Sequence, residues 1–430
     1  MSNHTHHELP VDEPGSKDRF RFIKTEVVSG GTQAAAAPEV PDPVMQIMGG
    51  VLWIGGLGLL AYLNTWFFVV VLGIIVSVIL HELGHFWTAR KSGMKATQFF
   101  VGMGPRVWST HRDGVEYGLR VLPLGGFVKI IGMTNVDEVE PDDEAVTYRQ
   151  GSYARRMWVI TAGSAMHMII ALLLITGVYA AWGSYKESGQ VTIYAISDGT
   201  PATRAGLQLK DVITAVDSTK VTTAAELRHK LAATVPGTTV TLHVLRDGTP
   251  LELSATLAQS PNVDEGVVAG FLGVSSDSQE RVHMSLGQAL VDGPHDLVTG
   301  VGQAVVGVAK VINPVTVFGH LTGSNKDVTT RPGTVVGVTR VSANVAKYDG
   351  WAGILTLLAM INVSVGVFNM FPLLPLDGGH AAIATYERVR SRRGKRYYAD
   401  VNKLMPVAAV CIMLLAFMFL TGLYLDTVKG

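Results

Sequence analysis

The sequence predicts a polytopic α-helical membrane protein with about four transmembrane helices, a membrane-associated β-hairpin and a separate water-soluble α+β domain. Three observations lead there. Only 16% of the 430 residues are charged, against roughly a quarter in soluble globular proteins. Four stretches are long and apolar enough to cross a bilayer, which takes about 20 residues. Residues 190–258 instead alternate apolar and polar positions between turn residues, the pattern of a domain folded in water. The 35 basic and 35 acidic side chains balance, so no basic surface is offered to phosphates and no nucleic-acid partner is expected. The single cysteine, Cys411, rules out an intrachain disulfide and a thiolate-rich metal site.

Residues 1–44 are polar, carry His4, His6 and His7, and end in an Ala/Pro-rich run, which reads as a disordered tail without signal-peptide features. An apolar segment over 45–65 follows, with three placements open: a separate span, a re-entrant segment or an interfacial helix. The first core span covers 66–89 and stops at Arg90 and Lys91. Over 95–135, Phe99–Ser109 and Val115–Pro123 flank the turn at His111–Gly114 and read as a β-hairpin. The acidic run Asp137–Glu144 lacks the spacing of a calcium loop and reads as a solvated loop. A second span, 157–182, has no formal charge and ends with Tyr179 and Trp182 as interface anchors.

In the soluble domain, 190–258, the expected strands are Val191–Ile196, Asp211–Val216, Thr239–Arg246 and Leu251–Leu257. Asp247-Gly248 makes a hairpin turn and Ala224–Ala233 a helix. The region 259–350 holds an amphipathic stretch, Ser285–Ile312, read first as an interfacial helix and second as an extra span from Leu297 to Phe318. The third span, 351–380, is broken near its end by Pro372 and Pro375. A basic connection over 385–403 and a last span over 404–424 complete the chain. That connection carries Arg388, Arg390, Arg392, Arg393, Lys395, Arg396 and Lys403, which places it in the cytoplasm. Threading back puts 90–156 inside and 183–350 outside.

His81-Glu82-Leu83-Gly84-His85 lies within the first span. Positions i and i+4 of a helix share a face, so the two imidazoles can hold one Zn²⁺, and Glu82 beside them can take a proton from water at the metal. Ionisable groups inside an apolar helix are costly and by default functional. A third ligand is required. Asp377 is the only acid between Trp351 and Glu387 and reaches the same membrane side as His85. His380 is the rival ligand, and a helix-capping aspartate the plain alternative.

The HExxH motif, the segment Asn369–Gly378 (NxxPxxPLDG) and an intervening domain together resemble the site-2 protease family of intramembrane zinc metalloproteases, in its bacterial, single-PDZ, regulator-of-sigma form. The likeness covers roughly 66–425. Within the soluble domain, Gly199–Ile213 resembles the helix and turn of PDZ domains, and Gly270–Val274 a carboxylate-binding strand. The resemblance implies a core of three membrane helices around one zinc held by His81, His85 and Asp377, with Glu82 as base and Asn369 contacting substrate backbone. It also implies that Gly125 and Gly126 belong to a re-entrant β-loop offering an edge strand to substrate. Implied partners are the lipid bilayer, transmembrane substrates such as anti-sigma factors, and a protease that cuts first. The expected location is the cytoplasmic membrane, with the PDZ domain extracytoplasmic and the active site near the cytoplasm. A non-catalytic PDZ-containing membrane adaptor is the alternative. One departure stands out: after Ala162-Gly163 the family often has Pro and later Asn, where this chain has Ser164 and His167. His167 is read as a satisfied core histidine, with an extra polar group near the site as the other reading.

Overall fold

The computed structural model describes residues 43–428 apart from 134–136, 138, 261–268, 326–329, 332 and 392–395. The tail expected over 1–44 therefore lies outside the described residues but for its last two, as do Arg392, Arg393 and Lys395 of the basic connection. The chain divides into two compact units, Val178–Leu290 and the remainder.

In the larger unit, α1 (Pro43–Gly50), a π-helical turn (Val51–Gly55) and α2 (Gly56–Leu63) run on into one another. Extended backbone at Asn64 separates them from α3 (Thr65–Lys91), and the Asn64 side chain caps α3 by accepting from the Phe67 N–H. The open placement of 45–65 is thus met by a helix, and Gln46–Leu63 is one of five helices among the described residues long and apolar enough to span a membrane. It stands beside the four expected spans as a separate helix, one of the three placements left open. Trp53 donates its indole N–H to the Arg120 carbonyl at 2.8 Å, which ties this segment to the hairpin.

The hairpin, β1 (Ala96–Arg112) and β2 (Val115–Ile130), is longer than its expected strands. Residues 98–101 are paired on both sides, to 126–129 and to 116–119, while 108–112 pair with 115–119. The two strands therefore curl into a small sheet. Residues 126–130 pair only with β1 and leave one margin free of any strand among the described residues. Gly118 makes the curl possible, since a Cβ there would sit 2.4 Å from the Phe100 ring. In the acidic loop that follows, Asp143 pairs with Lys95, and Arg149 and Gln150 hold the Glu144 carboxyl down at about 2.

α4 (Tyr153–Trp182) leads into the smaller unit, which comprises β3 (Ser184–Ile196), α5 (Pro201–Arg204), β4 (Val212–Val216), β5 (Thr219–Lys220), α6 (Ala224–Ala232), β6 (Thr239–Arg246), β7 (Thr249–Thr256), β8 (Ala258–Gln259), β9 (Gly270–Phe271) and β10 (Val274–Val282). Its main sheet has the order β10-β3-β4-β6-β7 with β5 beside β4. Val191, Ile193, Ile213, Leu227 and Leu242 fill the core. A capping box, Thr223 with Glu226, starts α6. The expected bounds 190–258 are too narrow at both ends, because β10, far along the chain, pairs with β3 over its whole length from Ser184.

Back in the larger unit, α7 (Leu286–Ile312) and α8 (Pro314–Thr322) meet at 65° where Asn313 caps α8 ahead of Pro314. Leu297, Val301, Ala304 and Val308 of α7 pack on Ala171, Val363 and Val367. α9 (Val335–Asn369) bends at Gly350, whose φ of 54° breaks the helix. The expected third span over 351–380 is corrected here: the helix ends at Asn369, and Asp377 opens a new one, α10 (Asp377–Arg390), before α11 (Val401–Val428). The Pro372–Pro375 stretch cannot continue α9, which is why the two part there.

Three helices form the centre of this unit, and glycines set their spacing. A Cβ on Gly73 of α3 would meet Leu358 of α9 at 2.6 Å, one on Gly84 of α3 would meet the Ala162 carbonyl oxygen of α4 at 2.8 Å, and one on Gly366 of α9 would meet Met168 of α4 at 2.4 Å. Membrane helices gain little from excluding water from one another, so close backbone approach through small residues supplies the packing. At the far end, Asp426 of α11 accepts from Arg331, from the Thr334 N–H and hydroxyl, and from the Gly337 N–H, so one carboxylate caps the start of α9 in trans.

Candidate metal centre

His81 and His85 stand one turn apart on α3, and the first residue of α10, Asp377, is brought to them from across the unit. Asp377 Oδ2 lies 3.2 Å from His85 Nε2 and 3.5 Å from His81 Nε2, and the two imidazole nitrogens are 3.2 Å apart. A tetrahedral zinc bound at about 2.0–2.1 Å separates its ligand atoms by about 3.3–3.4 Å. The triangle therefore has the dimensions of one face of a zinc tetrahedron, and its chemistry of two nitrogens and one oxygen is that of a catalytic zinc site. Asp377 Oδ2 is buried without a hydrogen bond in good geometry. Such a buried, unsatisfied acceptor calls for a ligand.

Among the described residues this is the one cluster of three or more such side chains able to share a metal. His380, one turn further along α10, is outside it. Asp377 does not act as a cap either, since Leu376 holds that position and no side chain caps the helix.

The surroundings hold the imidazoles in place. His85 Nδ1 is 2.8 Å from the Val159 carbonyl of α4, which fixes its proton there and leaves Nε2 to coordinate. Gly163 of α4 faces both rings. A Cβ at that position would stand 2.4 Å from His85 Nε2 and 2.5 Å from His81 Cε1. Glu82 points instead toward the hairpin. Its carboxyl lies near the Val128 backbone, and a Cβ on Gly126 would lie 3.1 Å from Glu82 Cγ. The unpaired margin of residues 126–130 therefore runs beside the acid. Gly125, in contrast, adopts φ +76° next to Met103 and serves the backbone turn. Asn369 closes α9.

His167 satisfies both of its sequence readings. It is 2% exposed and hydrogen-bonded to Asn362 at 2.8 Å, and its ring centroid is 5.0 Å from that of His81. Sequence reasoning passed over Gly163 as a contact of the ligands, the Val159 carbonyl and Asn362. Backbone carbonyls leave no trace in a sequence, but Asn362, one of two amides with Asn369 in the charge-free stretch 351–376, was a readable polar exception.

The profile described as Peptidase family M50 matches residues 67–415. The zinc metalloprotease Rip1 of Mycobacterium tuberculosis (strain ATCC 25618 / H37Rv) is 34% identical over 392 residues, covering 81% of this chain and 94% of that protein. Rip1 of Mycolicibacterium smegmatis is 33% identical over 387 residues with the same coverage. The solved PDZ domain of an SdrC-like protein from Listeria monocytogenes is similar over 20% of this chain and 85% of its own, at 19% identity and a TM-score of 0.18.

Proposed function

The chain belongs to peptidase family M50, the site-2 proteases, and is a zinc metalloprotease of the membrane; on that footing we propose that it cuts transmembrane segments of membrane proteins already trimmed by another protease. The observation that carries the reading is the ligand triangle beside a free strand margin within a bundle of apolar helices. His81, His85 and Asp377 are the residues to hold the metal, which when bound supplies Lewis acidity to polarise a carbonyl and ease ionisation of water. Glu82 takes the proton of the attacking water and returns it to the departing amine. A substrate helix must unwind before its carbonyl can be attacked, and residues 126–130 offer an edge on which the extended peptide pairs. Since Glu82 lies against Gly126 and near Val128, a peptide bound along that margin meets the base at the same place.

The lysines and arginines flanking α3, α4 and α10 support a cytoplasmic-side active site and an extracytoplasmic β3–β10 unit, read as a PDZ domain, in the cytoplasmic membrane. Anti-sigma factors fit the substrate class. The adaptor reading finds no support, because the three ligands and the base stand together intact.

The test is cleavage by the purified full-length chain, in liposomes, of transmembrane reporters that differ only in their extracytoplasmic end. A reporter with a short tail is expected to be cut within its span, and one with a folded ectodomain to survive. Equal cutting of both contradicts the requirement for trimming, and cutting outside the membrane contradicts the intramembrane site.

A further inference from the structure

We infer that His167 is a positioning residue for the metal ligand His81: through one water, its Nε2 is the acceptor for the His81 Nδ1–H. The inference rests on the zinc reading above and concerns the ligand whose second nitrogen has no hydrogen bond of good geometry.

A zinc-bound imidazole normally donates its other N–H to a carbonyl, carboxylate or water, which fixes both tautomer and ring orientation. His85 has this support from the Val159 carbonyl. His81 does not. Its Nδ1 is buried without a hydrogen-bond partner, and the Gly163 carbonyl interacts with it without reaching hydrogen-bond geometry. A buried donor of this kind needs an acceptor.

His167 supplies one, and the bonding order behind it says which nitrogen is free. Asn362 Nδ2 donates to the Leu358 carbonyl at 2.8 Å within α9. That fixes the amide so that Oδ1 faces His167, whose Nδ1 is 2.8 Å away. Nδ1 of His167 must then carry the proton, and Nε2 of the neutral ring is left as an acceptor. The ring lies 5.0 Å from that of His81, tilted by 43°, in a part of α4 held against α9 at Gly366. Leu358, Asn362, His167 and His81 thus form one directed chain ending on the metal ligand.

The test uses the full-length protein in detergent and measures zinc affinity by competition with a chelator, together with the melting temperature of the metal-free protein. His167→Phe keeps a ring and removes both nitrogens, and His167→Asn can reproduce only the bond to Asn362. Each is expected to weaken zinc binding about 10–100-fold. His167→Gln, whose amide can reach the position of Nε2, is expected to stay within about threefold of wild type, a rescue that a purely structural role does not predict. Wild-type affinity in a folded His167→Phe overturns the inference while leaving the zinc site intact, whereas a folded wild type that binds no zinc removes the reading beneath it. Should His167→Phe not fold, Asn362→Leu decides: it releases the His167 tautomer and is expected to lower zinc affinity, and unchanged affinity there overturns the inference as well.

Discussion

Glu82→Gln is expected to lower cleavage of a transmembrane reporter about 10²–10⁴-fold, the usual contribution of a positioned general acid–base group, while zinc stays bound. At 1.36 kcal/mol per tenfold this corresponds to about 2.7–5.4 kcal/mol of barrier. The two effects separate because Glu82 stands beside the ligand triangle without being one of its three members, its side chain lying against Gly126. Glutamine keeps the size of the side chain, but it cannot take a proton from water. Retained activity with zinc bound would remove Glu82 from the mechanism. Loss of zinc along with activity would make it part of the metal site instead.

Gly163→Ala is expected to be nearly as damaging although it adds only a methyl group. The new carbon would stand 2.4 Å from His85 Nε2, closer than the roughly 3–3.5 Å at which a carbon and a nitrogen can approach. Either α4 or the imidazoles must move by about an ångström, a misplacement that can cost about 10²-fold in rate. Zinc affinity should fall with it, because the 3.2–3.5 Å triangle depends on both rings. Gly177→Ala on the same helix, with nothing within 4 Å of the added carbon, is the control and should leave zinc and cleavage unchanged. A Gly163→Ala protein that binds zinc and cuts like wild type contradicts the close approach of α4 to the site.

The elements that carry the chemistry were legible because they are local. His81 and His85 show their shared face through a spacing of four, and Asp377 stands out as a lone acid among apolar residues and prolines. The helices α3, α4 and α11 and the strand β6 follow from runs of side chains whose period is visible without a partner. What escaped depends on residues distant in sequence. β10 completes its sheet only by returning to β3, so no local reading could place the domain boundary. The break at Gly350 rests on a backbone angle that glycine permits but does not announce. Residues 45–65 held no charges to mark their ends, and the boundary that matters is one extended residue, Asn64. Gly163, likewise, looked like any small residue in a membrane helix until the histidine rings of α3 were set against it.

His81, His85 and Asp377 are placed to hold one zinc jointly. Metal analysis of the purified full-length protein, wild type and Asp377→Ala side by side, tests it most directly. One zinc per wild-type chain is expected, with its loss in the variant and similar melting of the two metal-free proteins. A folded wild type without zinc, or an Asp377→Ala protein that binds it as tightly, would contradict the account.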